Sequence, residues 1–155
     1  MSTPEIYSPG LEGVIAGETA ISTVTGGLRY RGYQVTELAE LRSFEDVAHL
    51  LLHGELPTPA QRTDFQKRLA AVQRLPAQVS DFVKQAPKAA ASMDVLRTAV
   101  SMLALHDPET ADNSRAANLR KAERLLAQIP VALAEHYRAT KGLPAVPSRP
   151  EKVSV

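Results

Sequence analysis

The stretch Ser43-Phe-Glu-Asp-Val-Ala-His-Leu-Leu-Leu-His-Gly-Glu-Leu-Pro-Thr-Pro59 decides how this chain folds. Ser43 is a residue type that caps helices, and Phe44, Val47, Leu51 and Leu52 follow it at helical spacing. Gly54 and Pro57 supply the stop. Thr58 then caps a second helix, Pro59 fits its first position, and Gln61 completes a capping-box pattern. In that second helix Phe65, Leu69 and Val72 form one stripe, with Gln66, Lys67 and Arg68 on the wet side.

The helical period continues downstream. Pro76 opens a shorter helix through Val79, Phe82 and Val83 that closes before Pro87. Ser92 is read as the cap of a helix in which Met93, Leu96, Val100 and Leu103 share a face, ended by Asp107-Pro108. The last helix begins between Asp112 and Ser114. Its stripe runs Leu119, Ala122, Leu126, Ile129, Leu133 and Tyr137, and Gly142 stops it. Pro130 inside this stripe predicts a kink or a break. Beyond it, Pro144, Pro147 and Pro150 recur with the period of a polyproline II segment.

Upstream the pattern differs. Gly13-Val14-Ile15-Ala16 and Thr19 to Val24 are rich in β-branched residues, Thr25-Gly26-Gly27 offers a tight turn, and Leu28-Arg29-Tyr30-Arg31 alternates. A short β-hairpin is expected, with Gly32 marking a sharp exit. The chain thus divides into residues 1–35 (extension and hairpin), 36–142 (helical domain) and 143–155 (Pro-rich connector). The fold class is mainly α.

Composition excludes several function classes. Eighteen Lys and Arg face seventeen Asp and Glu, for a net charge of +1, so no basic field for nucleic acid or polybasic membrane anchor exists. The chain has no cysteine, and hence no disulfide framework, thiolate nucleophile or Cys-based zinc site. Met1 to Gly10 lacks the layout of a signal peptide, and no apolar run reaches bilayer length, so the expected location is the cytoplasm.

Four histidines invite inspection. His49 and His53 stand four apart and share a helical face, but Leu50 occupies the place where a zincin has its Glu, and no third ligand is apparent. Structural or surface roles are expected for them, as for His106 and His136. Arg29 and Arg31 could suggest a phosphate clamp, yet alternation around Tyr30 makes them the polar face of a strand. Gly26-Gly27 lacks the spacing of a phosphate loop. Pro144-Ala-Val-Pro147 and Pro147-Ser-Arg-Pro150 have the PxxP form of SH3 ligands, but a connector explains them better.

The segment Gly10-Leu-Glu-Gly-Val-Ile-Ala-Gly-Glu-Thr-Ala-Ile-Ser22, followed by Leu28-Arg-Tyr-Arg-Gly-Tyr33, resembles the start of bacterial-type citrate and 2-methylcitrate synthases. The likeness continues through Thr36-Glu-Leu-Ala-Glu40, Phe44-Glu-Asp-Val-Ala48, Leu50-Leu-Leu-His-Gly-Glu-Leu-Pro57, Met93-Asp-Val-Leu-Arg-Thr-Ala-Val100, Ile129-Pro130 and Pro147-Ser-Arg-Pro150. The chain departs from the family in its short Thr25-Gly26-Gly27 turn, in Ala91-Ser92 where relatives commonly carry His-Pro, and in a short stretch from His106 to Asn118.

The resemblance implies the N-terminal portion of the citrate synthase fold, large-domain helices preceded by the hairpin. It also implies a family chemistry: condensation of acetyl-CoA or another acyl-CoA with oxaloacetate, giving citrate or 2-methylcitrate and CoA. Two histidines and an aspartate carry that reaction in the family, a base and an electrophilic donor acting on a weakly acidic carbon. No position here matches those residues or the arginines that hold oxaloacetate. No catalytic, cofactor-binding or metal residue is therefore carried over, and no covalently bound cofactor is expected. Acyl-CoA, the family substrate, is not expected to bind productively to this chain alone. The expected protein is inactive by itself, and self-associates or pairs with a complementary synthase segment. A non-catalytic helical paralogue that modulates a full-length synthase, or a degenerate product, fits the same residues.

Overall fold

The computed structural model describes Gly10, Val14 and residues 17–145. The β-branched run at Gly13, Ile15 and Ala16 and the polyproline period at Pro147 and Pro150 lie outside the described residues.

Three two-residue strands, β1 (Ser22–Thr23), β2 (Arg29–Tyr30) and β3 (Tyr33–Gln34), form an antiparallel sheet in the order β1-β2-β3. Ser22 faces Tyr30, and Tyr30 faces Tyr33. The turn through Thr25-Gly26-Gly27 falls where the sequence places it, closed by Gly27 N–H donating to Val24 O at 3.3 Å. The expected hairpin gains a third strand. Arg31 (φ +48°) and Gly32 (φ +90°) make a two-residue loop with both residues left-handed, the geometry that reverses a twisted ribbon. Arg31 therefore sits in a turn rather than on the face of a strand. Its unfavourable φ is held by its guanidinium, which donates to Ala20 O and Leu51 O, each at 3.3 Å.

The helices are α1 (Val35–Leu41), α2 (Phe44–His53), α3 (Pro59–Val72), α4 (Ala77–Gln85), α5 (Ser92–Leu105) and α6 (Arg115–Thr140). Local chemistry explains their ends. Ser43 and Asp46 form a reciprocal capping box on α2, and Thr58 and Gln61 form another on α3. Gly54, at φ +94°, ends α2 by donating to Leu50 O. Ser114 caps α6. The N-cap of α5 is Ala91, and Ser92 is already helical, so the expected Ser92 cap is absent.

Two apolar clusters hold the helices. One joins Leu75, from the α3–α4 connection, to Val79, Val83, Val95, Ala99, Leu103 and Ala132 from α4, α5 and α6. The other joins Ala48, Phe65 and Leu69, with Leu52 and Leu126 packed against it, from α2, α3 and α6. α6 is the common element, contacting α3, α4 and α5 along its 26 residues.

Several expected stripes are rotated. In α5 the buried residues are Val95, Ala99 and Leu103, while Met93 is exposed. In α2 they are Glu45, Asp46, Ala48, His49 and Leu50, and Phe44 faces out. In α6 they are Ala117, Glu123, Ala132 and His136; Leu119, Leu126 and Ile129 are half-buried, and Leu133 and Tyr137 are 44% and 57% exposed. Pro130 does not break α6, which is continuous through it.

Candidate functional site

One grouping of ionisable side chains lies where α2, α3 and α6 meet. His49 and His53 lie on one face of α2, four residues apart, with ring centroids 4.4 Å apart. His49 Nδ1 is 3.0 Å from Glu55 O just past the Gly54 stop. Both rings meet Phe65 of α3 edge-on. From α6, the buried Glu123 accepts two hydrogen bonds from Arg68, Nε to Oε2 and Nη2 to Oε1, each 3.0 Å. Arg68 also binds Asp64 one turn back. Arg68 is thus not simply a wet-side residue: one end of its fork reaches across to α6.

His53 closes the group. Its Nε2 lies 3.6 Å from Glu123 Oε1, too far for a hydrogen bond, and is buried without a partner. Burial, then the neighbouring His49 and Arg68, hold its pKa below the ordinary 6.5, against the opposing pull of Glu123. At neutral pH the ring is therefore uncharged.

A second ionic group closes the α5–α6 connection. Arg124 Nε and Nη2 donate to Asp107 at 3.0 and 2.8 Å, Arg124 also meets Glu109 at 2.9 Å, and Arg120 donates to Glu109 from the next turn. The two guanidinium groups, Arg120 first, push the Glu109 carboxyl down to about 2. Beside this network is a cavity of about 210 Å³ with a floor of Val100, Leu103 and Leu125. It is smaller than the roughly 300–1,000 Å³ of ordinary ligand pockets, and its Arg and Asp are paired with each other or with Glu109.

A wider hollow of about 590 Å³ lies among α3, α4 and α6. There Ser80 Oγ donates to Glu135 Oε2 at 2.6 Å and accepts from Lys84 Nζ at 2.6 Å, while Lys84 meets Glu135 at 3.5 Å. With Lys84 paired to a carboxylate, no free base is left to activate the Ser80 hydroxyl.

The remaining sequence candidates are dispersed. His136 is buried, its Nδ1 3.0 Å from Val83 O, and His106 is exposed at the end of α5. Arg29 donates to Gly32 O within its own ribbon. Among the described residues no group of three or more His, Cys, Asp or Glu is placed to hold a metal ion. Five of the described aspartates are engaged elsewhere: Asp46 holds Arg62, Asp64 holds Arg68, Asp94 holds Arg97, Asp107 holds Arg124, and Asp112 accepts from the Ser114 backbone N–H. The Arg62–Asp46 and Arg68–Glu123 pairs were not foreseen, because no local spacing links residues 16 and 55 positions apart.

Comparison with known proteins places this fold. The family profile described as "Citrate synthase, C-terminal domain" matches residues 10–155, and the chain belongs to the citrate synthase family, a family of transferases. It is 46% identical over 140 residues to 2-methylcitrate synthase 2 of Corynebacterium glutamicum, covering 86% of this chain and 36% of that protein. With 2-methylcitrate synthase of Shewanella oneidensis it shares 43% over 137 residues, again 86% of this chain and 36% of the relative. The crystal structure of citrate synthase from Pyrobaculum aerophilum superposes with a TM-score of 0.85 at 30% identity, over 95% of this chain and 41% of that one. The chain therefore spans about a third of the length of the curated relatives it matches. Among the described residues no helix is long and apolar enough to cross a membrane.

Proposed function

We propose that this chain is an N-terminal portion of a citrate synthase-type acyltransferase, supplying scaffold helices and lacking activity alone. The reaction of the whole enzyme in this reading joins an acyl-CoA, acetyl- or propionyl-, to oxaloacetate. The observation that supports the inactivity is how the described histidines are engaged. His49 and His136 are tied to backbone carbonyls, His53 faces a glutamate already held by Arg68, and Asp46 and Asp107, near His49 and His106 in sequence, are engaged by Arg62 and Arg124. A proton cannot be taken from an acyl methyl without a base and an enol-stabilising donor on either side of it. The expected work of these helices is to pack against other helices, as Leu133 and Tyr137 on the outer face of α6 suggest. A cytoplasmic location and a dimeric assembly belong to the same reading.

The test is release of free thiol from acetyl-CoA or propionyl-CoA with oxaloacetate, using chain purified from a host lacking its own synthases. No turnover above background is expected. Sustained turnover would overturn the inactivity. The exposed face of α6 also favours a second reading, a non-catalytic partner of a full-length synthase; copurification with that enzyme and a change in its rate would distinguish it.

A further inference from the structure

Glu123 Oε1 has two suitors. It accepts Arg68 Nη2 at 3.0 Å from α3, with Arg68 Nε held by the other oxygen at 3.0 Å, and it faces His53 Nε2 of α2, which makes no hydrogen bond, at 3.6 Å. The groups around His53 are His49 on its own helix, Phe65 and Arg68 on α3 with Asp64 behind them, and Glu123 on α6.

We propose that this junction is a proton-operated exchange, in which protonation of His53 transfers Glu123 from Arg68 to His53 and so moves an anchor of α6 from α3 to α2. An imidazolium carries N–H on both nitrogens whichever neutral tautomer preceded it, so Nε2 becomes a charged donor opposite a carboxylate. The proton comes from solvent, and the only covalent bond made is N–H. A closure of well under 1 Å brings 3.6 Å into hydrogen-bond range.

Arg68 is the partner that yields. Its side chain is 42% exposed and already bonded to Asp64, itself 69% exposed, whereas the Glu123 side chain is only 10% exposed. Releasing Glu123 leaves the guanidinium in water with a second carboxylate. It also relieves the repulsion between Arg68 and the new cation on His53. The cost of burying charge, and then the repulsion from His49, set the exchange on the acid side of 6.5, where His53 takes up its proton. The device rests on the junction alone and stands whether or not the chain is catalytic.

The experiment is a pH titration of the full 155-residue chain by NMR, following the imidazole signals of His53 and the Nε–H of Arg68 together. The expected result is one shared midpoint below pH 6.5, with Arg68 Nε–H exchanging with water several-fold faster on the acid side. His53→Gln should remove the Arg68 response, and Glu123→Gln should lower the His53 midpoint. An Arg68 Nε–H that stays protected while His53 titrates, or that responds with a different midpoint, overturns the proposal. The wild-type traces decide the matter even if a variant fails to fold.

Discussion

Arg62 and Asp46 join α3 to α2 through a two-pronged contact, Nε to Oδ1 at 2.6 Å and Nη2 to Oδ2 at 2.8 Å. The same carboxylate accepts the backbone N–H of Ser43 at 3.3 Å, so one buried side chain closes a helix cap and an interhelical pair. Arg62→Met leaves that carboxylate buried with only the cap to satisfy it. The expected loss is about 1–3 kcal/mol, read as a lower urea midpoint with an unchanged m-value.

The rotated stripes of α5 predict contrasting costs. Leu103→Ala removes a buried side chain at the α4–α5–α6 cluster and should cost about 2–5 kcal/mol. Met93→Ala, on the exposed side, should stay within about 0.5 kcal/mol. Equal costs in urea unfolding would return Met93 to the core.

Glu109 sets an acid dependence. Its folded pKa, about 2, lies below its ordinary 4.5, so the folded state favours the ionised form. The stabilisation is complete above 4.5 and is lost as pH falls toward 2. The stability difference between the wild type and Glu109→Gln should therefore shrink across that interval when measured by urea titration at successive pH values.

Association should respond to the outer face of α6 and not to its inner one. Leu126, which the sequence places in the same stripe as Leu133, packs on Ala48, Phe65 and Leu69. Leu126→Asp should therefore unfold the chain. Leu133→Asp should change the scattering mass while leaving the circular dichroism helix signal intact.

Pro130 has no N–H to donate to Leu126 O, yet α6 runs through it. Pro130→Ala should restore that bond and raise stability by up to about 3 kcal/mol, seen as a higher Tm. A fall in Tm would show that the ring is needed for packing.

Helix boundaries were legible where a side-chain or glycine cap forms, at Ser43, Thr58 with Gln61, Gly54 and Ser114, which act within four residues of themselves, but not at Ser92, which is already helical. Helix faces were less so. Glu45, Asp46 and His49 are polar and were assigned to no buried face, yet they are covered, and Asp46 has its counter-charge on another helix. Phe44 and Met93 were counted as core because apolar residues at the right period look alike whether or not a neighbour covers them. The third strand was missed because it depends on Arg31 adopting a left-handed conformation, held by carbonyls 11 and 20 residues away. At the α2–α3–α6 junction the histidine pair was visible in the sequence, and the Glu123 carboxylate facing His53 was not.

The position of α6 has a consequence for biosynthesis. α3, α4 and α5 all pack against it, so none of them has its full neighbour until residues near Thr140 have left the ribosome. At roughly 5–20 residues per second the wait after α3 emerges lasts seconds. Throughout it Phe65 and Leu69 have only the α2 side of their cluster and lack Leu126, a nascent state in which a chaperone has surface to hold.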